Sequence, residues 1–239
     1  MDSGSGFLRV SNLRSGYGAK TILENVTFEV ARGHIALLVG HNGAGKSTIL
    51  KGAMGLLPKS TGELLLDGQS LGRPDVRRNV AAGINIVLQH DGFFPNLGVA
   101  ENLELGAFSL RLPPAALRER VDRIHALFPR LRQRRTSIAR QLSGGEQKML
   151  SIGMALMTEP RVLLIDEPSA GLAPKLVDGV MEQLRSLNHQ WGTTIVLVEQ
   201  NVRAGLSIAN SVLVVRLGAI AGTFDAAALR ERGNISTLF

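Results

Sequence analysis

The stretch "GHNGAGKST", residues 40–48, follows directly on the apolar run "HIALLV" and leads into a helix-compatible segment. It fits G-x-x-x-x-G-K-[ST], and a strand before and a helix after are the setting in which that pattern forms a phosphate-binding loop rather than a chance glycine-rich turn. Gly40, Gly43 and Gly45 let the backbone wrap closely. Successive N–H groups from Gly40 through His41, Asn42, Gly43, Ala44 and Gly45 then point at a β-phosphate. Lys46 adds a point charge on the β- and γ-phosphates, the Ser47 hydroxyl is placed to ligate Mg²⁺, and Thr48 closes the nucleotide-contacting stretch.

Further buried-strand runs recur as "INIVLQ", "RVLLIDE", "TTIVLVE" and "SVLVVR", separated by helical patterns. Such all-apolar strands indicate a parallel sheet covered on both faces, hence an α/β fold. Shorter runs, "GFLRVSNL", "TFEV" and "GELLLDG", precede or flank the loop and end in turn signals. From about residue 93 to 158 the pattern is mostly helical. Leu117, Val121, Ile124 and Phe128 fall at helical spacing, and "PP" at 113–114 stands where a helix begins. This interval is expected to be a helical subdomain inserted into a core formed by residues 1–92 and 159–239. The end, "DAAALRERGNISTLF", reads as a short helix with a loose tail.

"RVLLIDEP", residues 161–168, supplies the second half of the chemistry. Its buried strand ends on two adjacent carboxylates, which are costly in a core without a cation. A Mg²⁺ beside the phosphate loop gives Asp166 its partner, directly or through water. Glu167 then reaches past the metal and can polarise the attacking water. Together, in this order, the two motifs indicate a P-loop ATPase.

The totals exclude several classes. With 44% hydrophobic and 20% charged residues the chain has ordinary globular composition. The absence of cysteine removes disulfides and thiolate metal sites. No apolar run approaches the roughly 20 residues needed to span a bilayer, and "MDSGSGFLRV" lacks the charged and apolar regions of a signal peptide. A soluble protein with at most a peripheral membrane role is expected. The formal charge of +7 is concentrated between Arg111 and Arg140, where nine arginines face only Glu119 and Asp122. That segment alone nets +7, so the remainder balances. A localised basic face suits an anionic neighbour, or is simply a solvated helix surface.

"LSGGEQ", residues 142–147, is a serine and two glycines opening a helix, a second anion-binding N-terminus. One ATP cannot easily occupy two such sites in one small domain, so this one is expected to complete the pocket of a second copy. In this combination the chain resembles the ATP-binding cassette of ABC transporters over nearly its whole length. The resemblance implies an α/β P-loop NTPase with a mixed central sheet, an N-terminal antiparallel β subdomain and the helical insertion. It also implies a head-to-tail dimer with two ATP molecules, each sandwiched between the phosphate loop of one subunit and Ser143, Gly144 and Gly145 of the other. Under it Tyr17 matches the aromatic that stacks on adenine, and Gln89 matches the glutamine that touches Mg²⁺ and links to the helical subdomain. Without it, Tyr17 is a surface turn residue and Gln89 a polar strand end. Met149, Met154 and Met157, on the helix after "LSGGEQ", read as core packing.

"LFPRLRQRR", "GGEQKMLSIGMALM", "DEPSAGLAP" and "LVEQN" look like the LivF-type ATPase of branched-chain amino-acid importers. Ala173 and Gln200 are usual in that type, although many cassettes carry an aspartate and a histidine there, the histidine aimed at the terminal phosphate. Gln200 is therefore expected to keep that phosphate contact. Two departures from the type are Met154, where an arginine is common, and "LQHDGFF" at the segment facing the membrane subunit. The implied function is an ATP hydrolase energising import of hydrophobic amino acids. Its implied partners are a like or second ATPase subunit, integral permease subunits at the cytoplasmic face of a bacterial inner membrane and, indirectly, an extracytoplasmic solute-binding protein. Alternatives are a urea or amide importer, a chromosome-maintenance or DNA-repair ATPase, a translation-factor ATPase and a non-hydrolysing regulatory module. No sustained heptads mark the coiled coil of the repair class. A single phosphate loop argues against the two-cassette translation factors, Glu167 argues against a silent module, and nucleic acid is not an expected partner.

Overall fold

A computed structural model describes residues 6–90 and 92–232 of the 239. Its centre is a six-stranded sheet built from β3 (Ile35–Val39), β6 (Ile84–Val87), β7 (Val162–Asp166), β8 (Thr194–Val198), β9 (Ser211–Arg216) and β10 (Ala219–Asp225). The spatial order is β10-β9-β3-β8-β7-β6. The five strands from β9 to β6 are parallel, and β10 pairs antiparallel with β9 at the edge. The sheet is thus mixed, as expected.

Alternation explains why these strands read as unbroken apolar runs. On β3 the side chains of Ile35, Leu37 and Val39 enter one core, while Ala36 and Leu38 enter another on the opposite face. Leu163 and Ile165 of β7, and Ile195 and Leu197 of β8, join the first core, while their neighbours join the second. The first core is closed by α7 (Pro174–Trp191), whose Val177, Val180, Met181, Leu184 and Leu187 recur at helical spacing. The second is roofed by a four-stranded antiparallel sheet in the order β2-β1-β4-β5, made of β1 (Leu8–Tyr17), β2 (Lys20–Val30), β4 (Thr61–Leu66) and β5 (Gln69–Gly72). Between the two sheets lies α1 (Lys46–Met54), whose Ile49, Leu50, Ala53 and Met54 all face this core, while α2 (Val76–Ala81) precedes β6 and α8 (Val202–Ile208) joins β8 to β9.

The interval between β6 and β7 holds α3 (Val99–Gly106), α4 (Pro114–Leu127), α5 (Pro129–Gln133) and α6 (Gly144–Leu156), with two short 3-10 turns. Helix α4 starts with a proline at its first position, as the "PP" signal predicts. Ser143 caps α6, accepting a hydrogen bond from the Glu146 N–H, while Glu146 accepts from the Ser143 N–H in return. Met157 is fully buried, and Met149 and Met154 pack against the first core. Two strands were not expected from sequence. β5 is four residues of half-exposed "QSLG", and β10 carries glycine in a half-exposed run, so neither has an apolar signature. Gln89 lies two residues beyond the end of β6 rather than on it. The expected C-terminal helix is α9 (Ala226–Arg232); its loose tail, and Asp91 of "LQHDGFF", lie outside the described residues.

Candidate nucleotide-binding and catalytic site

The site forms where β3, β7 and β8 end side by side. After β3 the backbone turns through Gly40 at φ 154°, and α1 starts after Gly45 at φ 106°. Both glycines are required on two counts: the left-handed backbone, and space. A Cβ on Gly40 would stand 2.2 Å from the Val215 carbonyl oxygen, and one on Gly45 would stand 2.8 Å from Leu23 Cδ2. The Lys46 ammonium folds back onto the loop, donating to the carbonyl oxygens of Gly40 at 2.8 Å and His41 at 3.0 Å. Burial lowers its pKa, against the opposing pull of Glu167 and Asp166.

β7 delivers Asp166 and Glu167. Asp166 is almost fully buried and accepts a hydrogen bond from Ser47 Oγ at 2.7 Å. Burial raises its pKa, opposed by that hydrogen bond and by Lys51. Glu167 follows in the left-handed region at φ 48°, an uncommon conformation for a residue with a side chain, and is also buried. Its N–H donates to the Val198 carbonyl at 2.9 Å, which extends the β7–β8 ladder by one bond and places Gln200 beside it.

Two glutamine amides meet on one carboxylate oxygen. Gln200 Nε2 and Gln89 Nε2 each lie 2.8 Å from Glu167 Oε2. An ionised carboxylate only accepts, so both glutamines must present their NH₂ groups. The contact expected of Gln200 was to a phosphate; among the described residues its partner is the carboxylate of Glu167.

A cavity of about 340 Å³ opens over these groups. Tyr17, Ile22, Asn42, Gly43 and Gly45 line it with Lys46, Ser47 and Thr48, and Glu167 and Gln200 join them. Tyr17, 48% exposed, is free to receive a flat ring at the rim. Gly40, His41 and Ala44 shape the loop behind, and Asp166 and Gln89 reach the site through Ser47 and Glu167. Ser143, Gly144 and Gly145 are not among its lining residues; they stand at the start of α6.

Sequence reading missed two charged groups around this site. Glu199, almost fully buried, accepts from the Ser169 N–H at 2.9 Å and the Asn201 N–H at 3.2 Å, tying the turn after Glu167 to the end of β8. Lys148 on α6 donates to the Gln89 carbonyl at 2.9 Å. A glutamate beside a glutamine, and a lysine on a helix, carry no pattern that would single them out.

Residues 23–170 match the family described as ABC transporter. The chain belongs to that family. It is 38% identical over 208 residues to the high-affinity branched-chain amino acid transport ATP-binding protein BraG of Pseudomonas aeruginosa, covering 85% of this chain and 86% of that one. It is 34% identical over 231 residues to a probable branched-chain amino acid transport ATP-binding protein LivF of Archaeoglobus fulgidus, covering 97% of each. A crystal structure of a nucleotide-free ATP-binding cassette from an ABC transporter superposes with a TM-score of 0.84 over 96% of both chains at 24% identity, which shows the fold. The protein is thus an ABC ATPase subunit, and the P-loop NTPase fold read from its motifs is the observed one.

In this ABC ATPase the arginine-rich stretch divides. Arg120 and Arg123 pair with Glu159, and the Arg123 guanidinium lies 4.8 Å from the centre of the Trp191 ring on α7. These two fasten α4 to the body of the protein. Arg132, Arg134 and Arg135 are exposed and make no ion pair among the described residues.

Gln200→Ala removes one of two donors to a charged oxygen, each worth about 1.5–3 kcal/mol. It is expected to reduce ATP turnover by on the order of 10- to 100-fold. Gln200→His, which keeps an N–H donor, should retain substantial activity and gain a pH dependence around 6 to 7. Steady-state hydrolysis across pH measures both. Parental turnover in Gln200→Ala would reduce the residue to a strand cap.

Proposed function

We propose that this ABC ATPase powers uptake of branched-chain or other hydrophobic amino acids, from the cytoplasmic face of a bacterial inner membrane. The observation that carries this reading is the similarity to LivF, which extends over 97% of both chains rather than over the motifs alone. No helix among the described residues is long and apolar enough to cross a membrane. In this reading transport runs through integral permease subunits, with a solute-binding protein outside acting through them. Residues 1–92 and 159–239 act as the nucleotide-binding core, and residues 93–158 as the helical subdomain.

The site residues support ATP hydrolysis in these roles. Tyr17 stacks on adenine, and the N–H groups of Gly40–Thr48 with the Lys46 ammonium hold the phosphates. Ser47, Asp166 and Gln89 would hold Mg²⁺; they form an all-oxygen donor set of the kind that ion takes, and Ser47 and Asp166 already stand 2.7 Å apart. The ion, when bound, neutralises phosphate charge. Glu167 takes a proton from the attacking water, and Gln200 orients the carboxylate or the water beside it. Ser143, Gly144 and Gly145, absent from the cavity of their own chain, close the pocket of a second subunit, alike or different, around the second face of ATP.

The deciding experiment is reconstitution with branched-chain amino-acid permease subunits from the same genome, followed by ATPase and uptake assays with leucine, isoleucine, valine and urea as solutes. Leucine-stimulated hydrolysis with leucine uptake is expected; stimulation by urea alone would move the protein to the amide importers. Replacing Arg132, Arg134 and Arg135 by glutamine should weaken association with the membrane complex, since each basic residue near an anionic leaflet contributes about 1 kcal/mol. The loss should appear in membrane sedimentation at moderate salt while nucleotide affinity stays unchanged. Tight, salt-resistant, sequence-preferring DNA binding would instead favour a repair ATPase.

A further inference from the structure

The ammonium of Lys148 is only partly exposed, on the inner side of α6, and donates to the backbone carbonyl of Gln89 at 2.9 Å. The side chain of that same Gln89 donates to Glu167 Oε2 at 2.8 Å. One continuous path therefore runs from the helix opened by Ser143, through a single residue of the loop after β6, to the water-activating carboxylate. Its links join positions 59 and 78 apart in the chain, so neither contact follows from local folding.

Withdrawing an ammonium from water costs free energy, which the Gln89 carbonyl and the nearby negative charges of Asp166 and Glu199 return in part. An apolar side chain would pack against the first core without that cost, as Met149 beside it does. What the lysine adds is direction. A charged donor holds the Gln89 peptide in one orientation, and that orientation aims the Gln89 amide at Glu167.

We propose that Lys148 is a positioning residue for hydrolysis. It pins the Gln89 peptide, and through the Gln89 amide it sets the Glu167 carboxylate, so that a displacement of α6 reaches the general base directly. This rests on the assignment of Glu167 above, and the experiment separates the two.

Lys148→Met and Lys148→Gln are expected to lower kcat by about 10-fold, as a slightly misplaced catalytic group does. The KM for ATP should stay within roughly two-fold. Lys148→Arg, which keeps a cationic donor, should recover part of the loss. In a Gln89→Ala background neither Lys148 substitution should cost anything more, because the path is already cut. Hydrogen exchange across residues 86–90 should speed up in Lys148→Met without nucleotide. If the methionine variant does not fold, the glutamine variant carries every measurement. Losses that add in the double variants, or a parental kcat in Lys148→Gln while Glu167→Gln is inactive, would overturn the role of Lys148 and leave the site intact. Parental hydrolysis by Glu167→Gln itself would instead overturn the site assignment.

Discussion

Glu167→Gln is expected to bind ATP as the parent does and to hydrolyse it about 10²-fold more slowly or worse. The substitution is nearly isosteric, so the end of β7 need not move. What changes is the chemistry of one group. The glutamate carboxylate can take a proton from water, and among the described residues no hydrogen bond reaches its Oε1, which leaves that oxygen for the water. An amide has no such basicity. Its carbonyl can still accept from Gln89 and Gln200, and removing a negative charge beside the γ-phosphate relieves repulsion. Bound ATP should therefore persist and accumulate the dimer, visible by size-exclusion chromatography with light scattering. The rate is measured with the membrane partners present; an unchanged rate there would remove Glu167 from the role of base.

The second large effect tests the proposed sharing of each pocket between two subunits. A dimer carrying Lys46→Ala in one subunit and Gly144→Asp in the other places both lesions in the same composite pocket. The other pocket keeps its lysine and its glycines, so measurable turnover should survive. Placing both substitutions in every subunit should abolish it. The aspartate acts through charge and bulk at the start of α6: its Cβ would stand 3.0 Å from Leu172 Cδ2, and its carboxylate would meet the incoming γ-phosphate. Differently tagged subunits purified through both tags give the mixed dimer. Equal, complete loss in both arrangements would count against assembly in trans.

The central sheet was legible because its strands are buried on both faces and so leave unbroken apolar runs. The phosphate loop was legible because its glycines answer a geometric demand that few other loops share. β5 and β10 were not, since half-exposed edge strands lack both runs and alternation. Within the site, Lys46, Ser47, Asp166 and Glu167 stand in local motifs, whereas the convergence of Gln89 and Gln200 on one oxygen depends on how β6, β7 and β8 lie side by side. Three parallel strands ordered β8-β7-β6 bring together residues 78 and 33 positions apart, and no local spacing encodes that. The arginine stretch shows the same limit: charge counting treats all nine alike, yet Arg120 and Arg123 are spent on Glu159 and Trp191.

The left-handed backbone at Glu167 bears on how such a subunit can decay over generations. Glutamate and glycine codons differ by a single base, and glycine is the residue for which φ 48° carries no strain. Relief of a non-glycine residue from that region is worth on the order of 1–3 kcal/mol, which offsets the roughly 0.5–1 kcal/mol that glycine loses in chain entropy and part of what the Gln89 and Gln200 amides lose with their acceptor. A lineage drifting to Glu167→Gly would thus keep a folded, abundant protein that still assembles and still binds ATP. Protein quality control, which reads exposed apolar surface, would find nothing to remove. Only selection on the transported solute itself can hold the glutamate in place.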